Sequence, residues 1–109
     1  MVMTIKELME AMPGAFVPEK AVGVEAVIQF HMTGDQASDW VATIGDGACK
    51  IEEGAQENPT MALTADADDY IKVVLGDLDP MQAFMQGKIK LSGDLNLAMK
   101  MTNFFKVPK

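Results

Sequence analysis

His31 and Cys49, the only histidine and the only cysteine in the chain, are the side chains best suited to proton transfer or nucleophilic attack. They lie eighteen positions apart in segments that read as different strands. A zinc site needs several such ligands at short spacing, so none is expected. Alternation puts His31 on the polar side of its strand with Gln29 and Thr33, the setting of a hydrogen-bonded sheet histidine rather than a catalytic base. Cys49 could act as a nucleophile only with a nearby base, and beside Ala48 it reads as a small hydrophobe packed in its strand. The acidic run "ADADDY" lacks the glycine and bidentate glutamate of a calcium loop; Asp66 as a helix cap, with Asp68 and Asp69 at the positive end of the helix, explains it more simply. Neither "TIGDG" nor "GKIKLSGD" forms a phosphate-binding loop or a dinucleotide fingerprint. No nucleophile can be paired with a base, so the expected activity is binding, not catalysis, with no cofactor.

The elements that carry these residues follow from periodicity and turn chemistry. "TIKELMEAM" has the capping-box spacing of Thr4 and Glu7 and places Ile5, Leu8, Met9 and Met12 on one helical stripe, with Pro13 and Gly14 ending the helix. From Val24 to Thr33 the period becomes two: Val24, Ala26, Ile28, Phe30 and Met32 share one apolar face. Trp40, Ala42 and Ile44 alternate with Val41 and Thr43, and Asp46-Gly47 supplies a tight hairpin turn before the returning strand "ACKIEE". "PTMALTA" is a fourth strand, with Met61, Leu63 and Ala65 on one face. Asp66 then caps a helix containing Tyr70, Val73 and Val74, which Gly76 closes. Asp79 and Pro80 start a short helix on which Met81, Phe84 and Met85 are spaced i, i+3, i+4, and Gly87 stops it. "KIKLS" is a fifth strand, and Asp94 caps a last helix whose apolar stripe is wider than one sheet face requires.

These elements predict a single α+β domain over residues 1–109: a mostly antiparallel sheet of about five strands with helices on one face. Nine basic against sixteen acidic residues give a net charge of −7, which repels phosphate backbones and anionic headgroups, so nucleic acid is not an expected partner. Apolar runs such as "AVI" are far too short to span a bilayer, and the N-terminus lacks a secretory pattern; a soluble cytoplasmic protein is expected. Ten methionines supply soft side chains for filling a core or lining an adaptable pocket.

The segment "GDLDPMQAFMQGKIKLSGD", followed by the apolar helix, resembles the sterol carrier protein type 2 family. Asp79, Pro80, Ala83, Phe84, Gly87, Lys88, Ile89, Lys90, Gly93 and Asp94 match its pattern in place. Trp40, "IGDGACKIEEG" and "DADDYIKVVLGDLDP" extend the likeness over roughly residues 4 to 106. The resemblance implies a hydrophobic tunnel between sheet and helices that carries a fatty acid, acyl-coenzyme A, sterol or phospholipid. It would be lined by Phe30 and Trp40 from the sheet, Tyr70, Val74 and Met81 from the central helices, Phe84 and Met85, Leu91, and Met99, Met101 and Phe105 from the last helix. A dry tunnel of about 400 Å³ would cost on the order of 10 kcal/mol, so a lipid guest or partial collapse of the methionine walls is expected.

Two features depart from the family. Lys6 is outnumbered by Glu7 and Glu10 in the first helix, where several members are basic, so stable membrane docking is not expected. The final "KVPK" is not the serine-lysine-leucine peroxisomal address. The competing reading is an interaction module in which the last helix, through Phe104, pairs with a second copy to form a homodimer or with an enzyme partner.

Overall fold

Thr4 opens the first helix with reciprocal hydrogen bonds: its hydroxyl accepts from the Glu7 N–H at 3.1 Å, and its own N–H donates to the Glu7 carboxylate at 3.0 Å. The computed structural model describes residues 4–101 and 104, with the backbone alone for Ala98, Met99 and Met101. Helix α1 runs Ile5–Ala15 and buries Ile5, Leu8, Met9 and Met12. It continues two residues past Pro13, where the sequence pattern predicts its end. A proline in the last turn removes only one donor from a ladder that is already running out, so the helix tolerates it.

Strands β1 (Ala26–Thr33), β2 (Ser38–Gly45) and β3 (Ala48–Glu53) follow as an antiparallel meander. The β2–β3 turn is the Asp46-Gly47 pair, both with positive φ. Strand β4 (Met61–Asp66) lies parallel to β1, and β5 (Ile89–Gly93) pairs antiparallel with β4. The sheet order is β3-β2-β1-β4-β5, with three antiparallel pairings and one parallel.

Helices α2 (Ala67–Val74) and α3 (Pro80–Met85) connect β4 to β5, and α4 (Leu95–Met101) follows β5. Asp66, Asp79 and Asp94 each cap a helix by accepting two backbone N–H groups. Gly76 and Gly87 close α2 and α3 with left-handed φ and the paired Schellman bonds: Gly76 to Val73 and Asp77 to Lys72, then Gly87 to Phe84 and Lys88 to Ala83.

The helices pack on one face of the sheet. There Ile5, Leu8, Met9 and Met12 meet Ala26, Ile28, Phe30 and Met32 of β1, Trp40, Ala42 and Ile44 of β2, and Met61, Leu63 and Ala65 of β4 in one buried core. The opposite face carries His31, Thr43, Lys50, Glu52, Thr64 and Lys90. Gln29, also on that face, is nonetheless only 2% exposed.

Candidate functional site

Strand register assembles a row of side chains that no single segment reveals. Trp40 pairs with Phe30, Phe30 with Leu63, and Leu63 with Leu91, so four adjacent strands present one apolar line to the helices. Tyr70 of α2 tilts over this line, its ring centroid 5.7 Å from that of Phe30 at 57°. Phe30, Trp40, Leu63 and Tyr70 are buried; Leu91 and Val74 are half-buried beside the core. Five of the residues expected to line a ligand site, Phe30, Trp40, Tyr70, Val74 and Leu91, thus lie on or beside the side of the sheet covered by helices.

The remaining expected residues are placed differently. Met81, Phe84 and Met85 share one face of α3, and that face looks outward: they are 59%, 42% and 83% exposed. Ala83 is the residue that α3 buries. Its methyl group lets this six-residue helix lie close against β5, an approach that a larger inward side chain would prevent. Met99 and Met101 belong to α4, but their side chains lie outside the described residues, as does all of Phe105. Phe104 is 1% exposed and part of the core, so its ring is not presented to a partner.

A polar chain braces one end of the apolar row. The Trp40 indole N–H donates to Ser38 Oγ at 2.8 Å, and that hydroxyl donates to the Gln36 carbonyl at 3.3 Å. The Gln36 side chain then reaches both helices: its Oε1 accepts from the Ile5 N–H at 2.7 Å, and its Nε2 donates to Asp68 at 2.8 Å. Gln36 sits in the short 3₁₀ turn 34–36, so one side chain fastens the starts of α1 and α2 to the β1–β2 connection.

His31 Nδ1 lies 2.9 Å from Asp39 on the opposite side of the sheet. Burial pushes the Cys49 thiol up to about 11, and it raises the Tyr70 phenol well above its ordinary range. Among the described residues no cluster of three or more His, Cys, Asp or Glu side chains is arranged to hold a metal ion. No described helix is long and apolar enough to cross a membrane. Two residues of this region are absent from the expected lining: Leu63, which completes the row, and Gln29, whose polar type conceals its burial. The alternation of β4 already places Leu63 on the apolar face, so register is what was missing. For Gln29 no local signal exists.

This architecture is that of sterol carrier domains. A solution structure of palmitated sterol carrier protein 2-like 2 from Aedes aegypti superposes with a TM-score of 0.73 at 28% identity, over 93% of each chain. Residues 5–106 match the SCP-2 sterol transfer family, and the chain belongs to it. Hydroxysteroid dehydrogenase-like protein 2 of Danio rerio is 29% identical over 108 residues, which are 96% of this chain and 26% of that protein. The chain spans about a quarter of the length of the curated relatives it matches first. A sec-alkylsulfatase of a Pseudomonas species shares the fold alone, with a TM-score of 0.85 at 18% identity over 98% of this chain and 17% of that one.

Proposed function

We propose that this chain is a non-catalytic carrier of a long-chain lipid, held between the helix-covered face of the sheet and the helices themselves. Phe30, Trp40, Tyr70, Val74 and Leu91 would form the walls, and Met81, Phe84 and Met85, exposed on α3, would form an apolar rim where a chain enters. The observation that carries this reading is membership of the SCP-2 sterol transfer family together with a palmitated relative of the same fold. The chemistry agrees: the lining is aromatic and aliphatic, with soft methionines able to repack around different guests. A sixteen-carbon acyl chain that buries a dozen methylenes gains about 10 kcal/mol before the entropy of binding is counted, a gain that offsets much of the cost of association.

Native mass spectrometry of freshly purified protein, followed by lipid extraction, tests the reading. A bound acyl lipid or sterol near one per chain is the expected result. Leu91→Glu, on the edge strand where the wall is half-buried, should abolish palmitate uptake while the circular dichroism of the sheet persists. Normal uptake by that variant would refute the proposed wall.

A further inference from the structure

Gln29 sits in the middle of β1 on the face away from the helices, yet it is buried and every polar atom of its amide is engaged. Its Nε2 donates to the carbonyls of Trp40 at 3.1 Å and Gly54 at 3.0 Å, with a longer approach of 3.4 Å to that of Phe30. Its Oε1 accepts from the backbone N–H of Gln56 at 2.7 Å. One side chain therefore joins three pieces of backbone: the strand that carries Phe30, the strand that carries Trp40, and the segment that leaves β3.

The location explains why such a tie matters. Trp40 faces Glu53 in the last pair of the β2–β3 ladder, and at Gly54 the chain turns away from the strand direction with φ +135°. Trp40 is therefore the last residue of β2 that the ladder supports, and Ser38 and Asp39 beyond it have no partner in β3. Three bonds extend the support: Gly54 N–H to the Asp39 carbonyl at 2.8 Å, and the Gln29 amide to the carbonyls of Trp40 and Gly54. An apolar residue at this position would pack beside Val27 and Val41 but leave the Gln56 N–H and the Gly54 carbonyl to find other partners. Buried amides are retained where they specify one arrangement, since their net contribution to stability is small.

We propose that Gln29 is a positioning residue of the lipid site. From the far side of the sheet it fixes the backbone of Trp40 against that of Phe30, sets the aromatic pair that faces the ligand, and couples this pair to the 54–56 segment. The inference rests on the lipid-carrier reading above. Coupling of this kind is reciprocal: if the segment helps to set the pair, a ligand on the pair must alter the segment.

The test compares the wild type with Gln29→Met, which keeps the length and loses the hydrogen bonds. Sodium palmitate is titrated into each, read by calorimetry and by the emission of Trp40, the only tryptophan. Hydrogen exchange at the Gln56 amide is followed in the wild type with and without palmitate. The expected results are a folded Gln29→Met protein that binds palmitate about tenfold more weakly with altered Trp40 emission, and slower Gln56 exchange in the loaded wild type. Unchanged affinity in a folded variant would overturn the inference and leave the carrier reading standing. If the variant does not fold, Gln56 exchange in the wild type decides, and indifference to palmitate overturns the inference. A wild type that takes up no palmitate removes both.

Discussion

Cys49 shows how burial decides what a reactive side chain does. It lies on the apolar face of β3, and desolvation holds its thiol neutral up to about pH 11. The thiolate fraction at pH 8 is then about a hundredfold below that of an exposed cysteine. Iodoacetamide should label the native protein far more slowly than the urea-unfolded chain, and equal rates would contradict the burial. Glu7 titrates in the opposite sense. The Thr4 N–H and hydroxyl bond its carboxylate and lower its pKa from the ordinary 4.5. A carboxyl depressed in the folded state stabilises the fold above its unfolded value, and that contribution is lost as pH falls through the folded value. The first turn of α1 should therefore fray below about pH 4.5, as read by amide exchange, and Glu7→Gln should fray no further in acid than at pH 7. Both behaviours were partly legible beforehand: the Thr4 and Glu7 spacing announces the capping box, and Ala48-Cys49 sits in an alternating strand. The burial of Gln29 was not legible, because its partners are the Trp40 and Gly54 carbonyls and the Gln56 N–H, 11 to 27 residues away.

At the scale of elements, two glycines with nearly the same φ separate conformational strain from steric contact. Gly76, at φ +85°, has open space around the position of a Cβ. Gly76→Ala should cost about 1–2 kcal/mol, the penalty for a left-handed alanine. Gly93, at φ +88°, would place a Cβ 2.6 Å from the Thr60 carbonyl oxygen and 3.0 Å from Met61 Cα. Both are backbone atoms and cannot step aside, so Gly93→Ala should cost on the order of 3 kcal/mol or more and loosen the start of α4. Urea denaturation of the two variants measures the difference; equal losses would mean that the β4–β5 junction relaxes freely. Helix α3 makes a complementary point. Its Asp79 cap and Gly87 stop are where the sequence puts them, and the spacing of Met81, Phe84 and Met85 is that of one face. With only six residues the helix has no opposing polar stripe to define its inside, and Ala83 turns inward.

For the whole molecule, a carrier whose core adjoins its ligand should change stability with its cargo. A lipid present at a hundred times its dissociation constant adds about 2.7 kcal/mol to the folded state, and for a domain of this size that raises Tm by on the order of 10 °C. Delipidated and palmitate-loaded protein compared by scanning calorimetry should show this shift; coincident transitions would argue against a guest in the fold.

Local pattern determined the number and type of elements, their caps, and which residues of each strand share a face, because 3.6- and 2-residue periods and turn chemistry are properties of short segments. It also marked Phe30, Trp40, Tyr70, Val74 and Leu91 as neighbours of the helix-covered face. Tertiary structure alone decided that β1 and β4 run side by side in parallel, a pairing in which Val27 finds Thr60, 33 residues away. That pairing sets Phe30 beside Leu63 and so aligns Trp40, Phe30, Leu63 and Leu91 into one row. It is nonlocal, and its free energy is distributed over surfaces that exist only once the chain has closed.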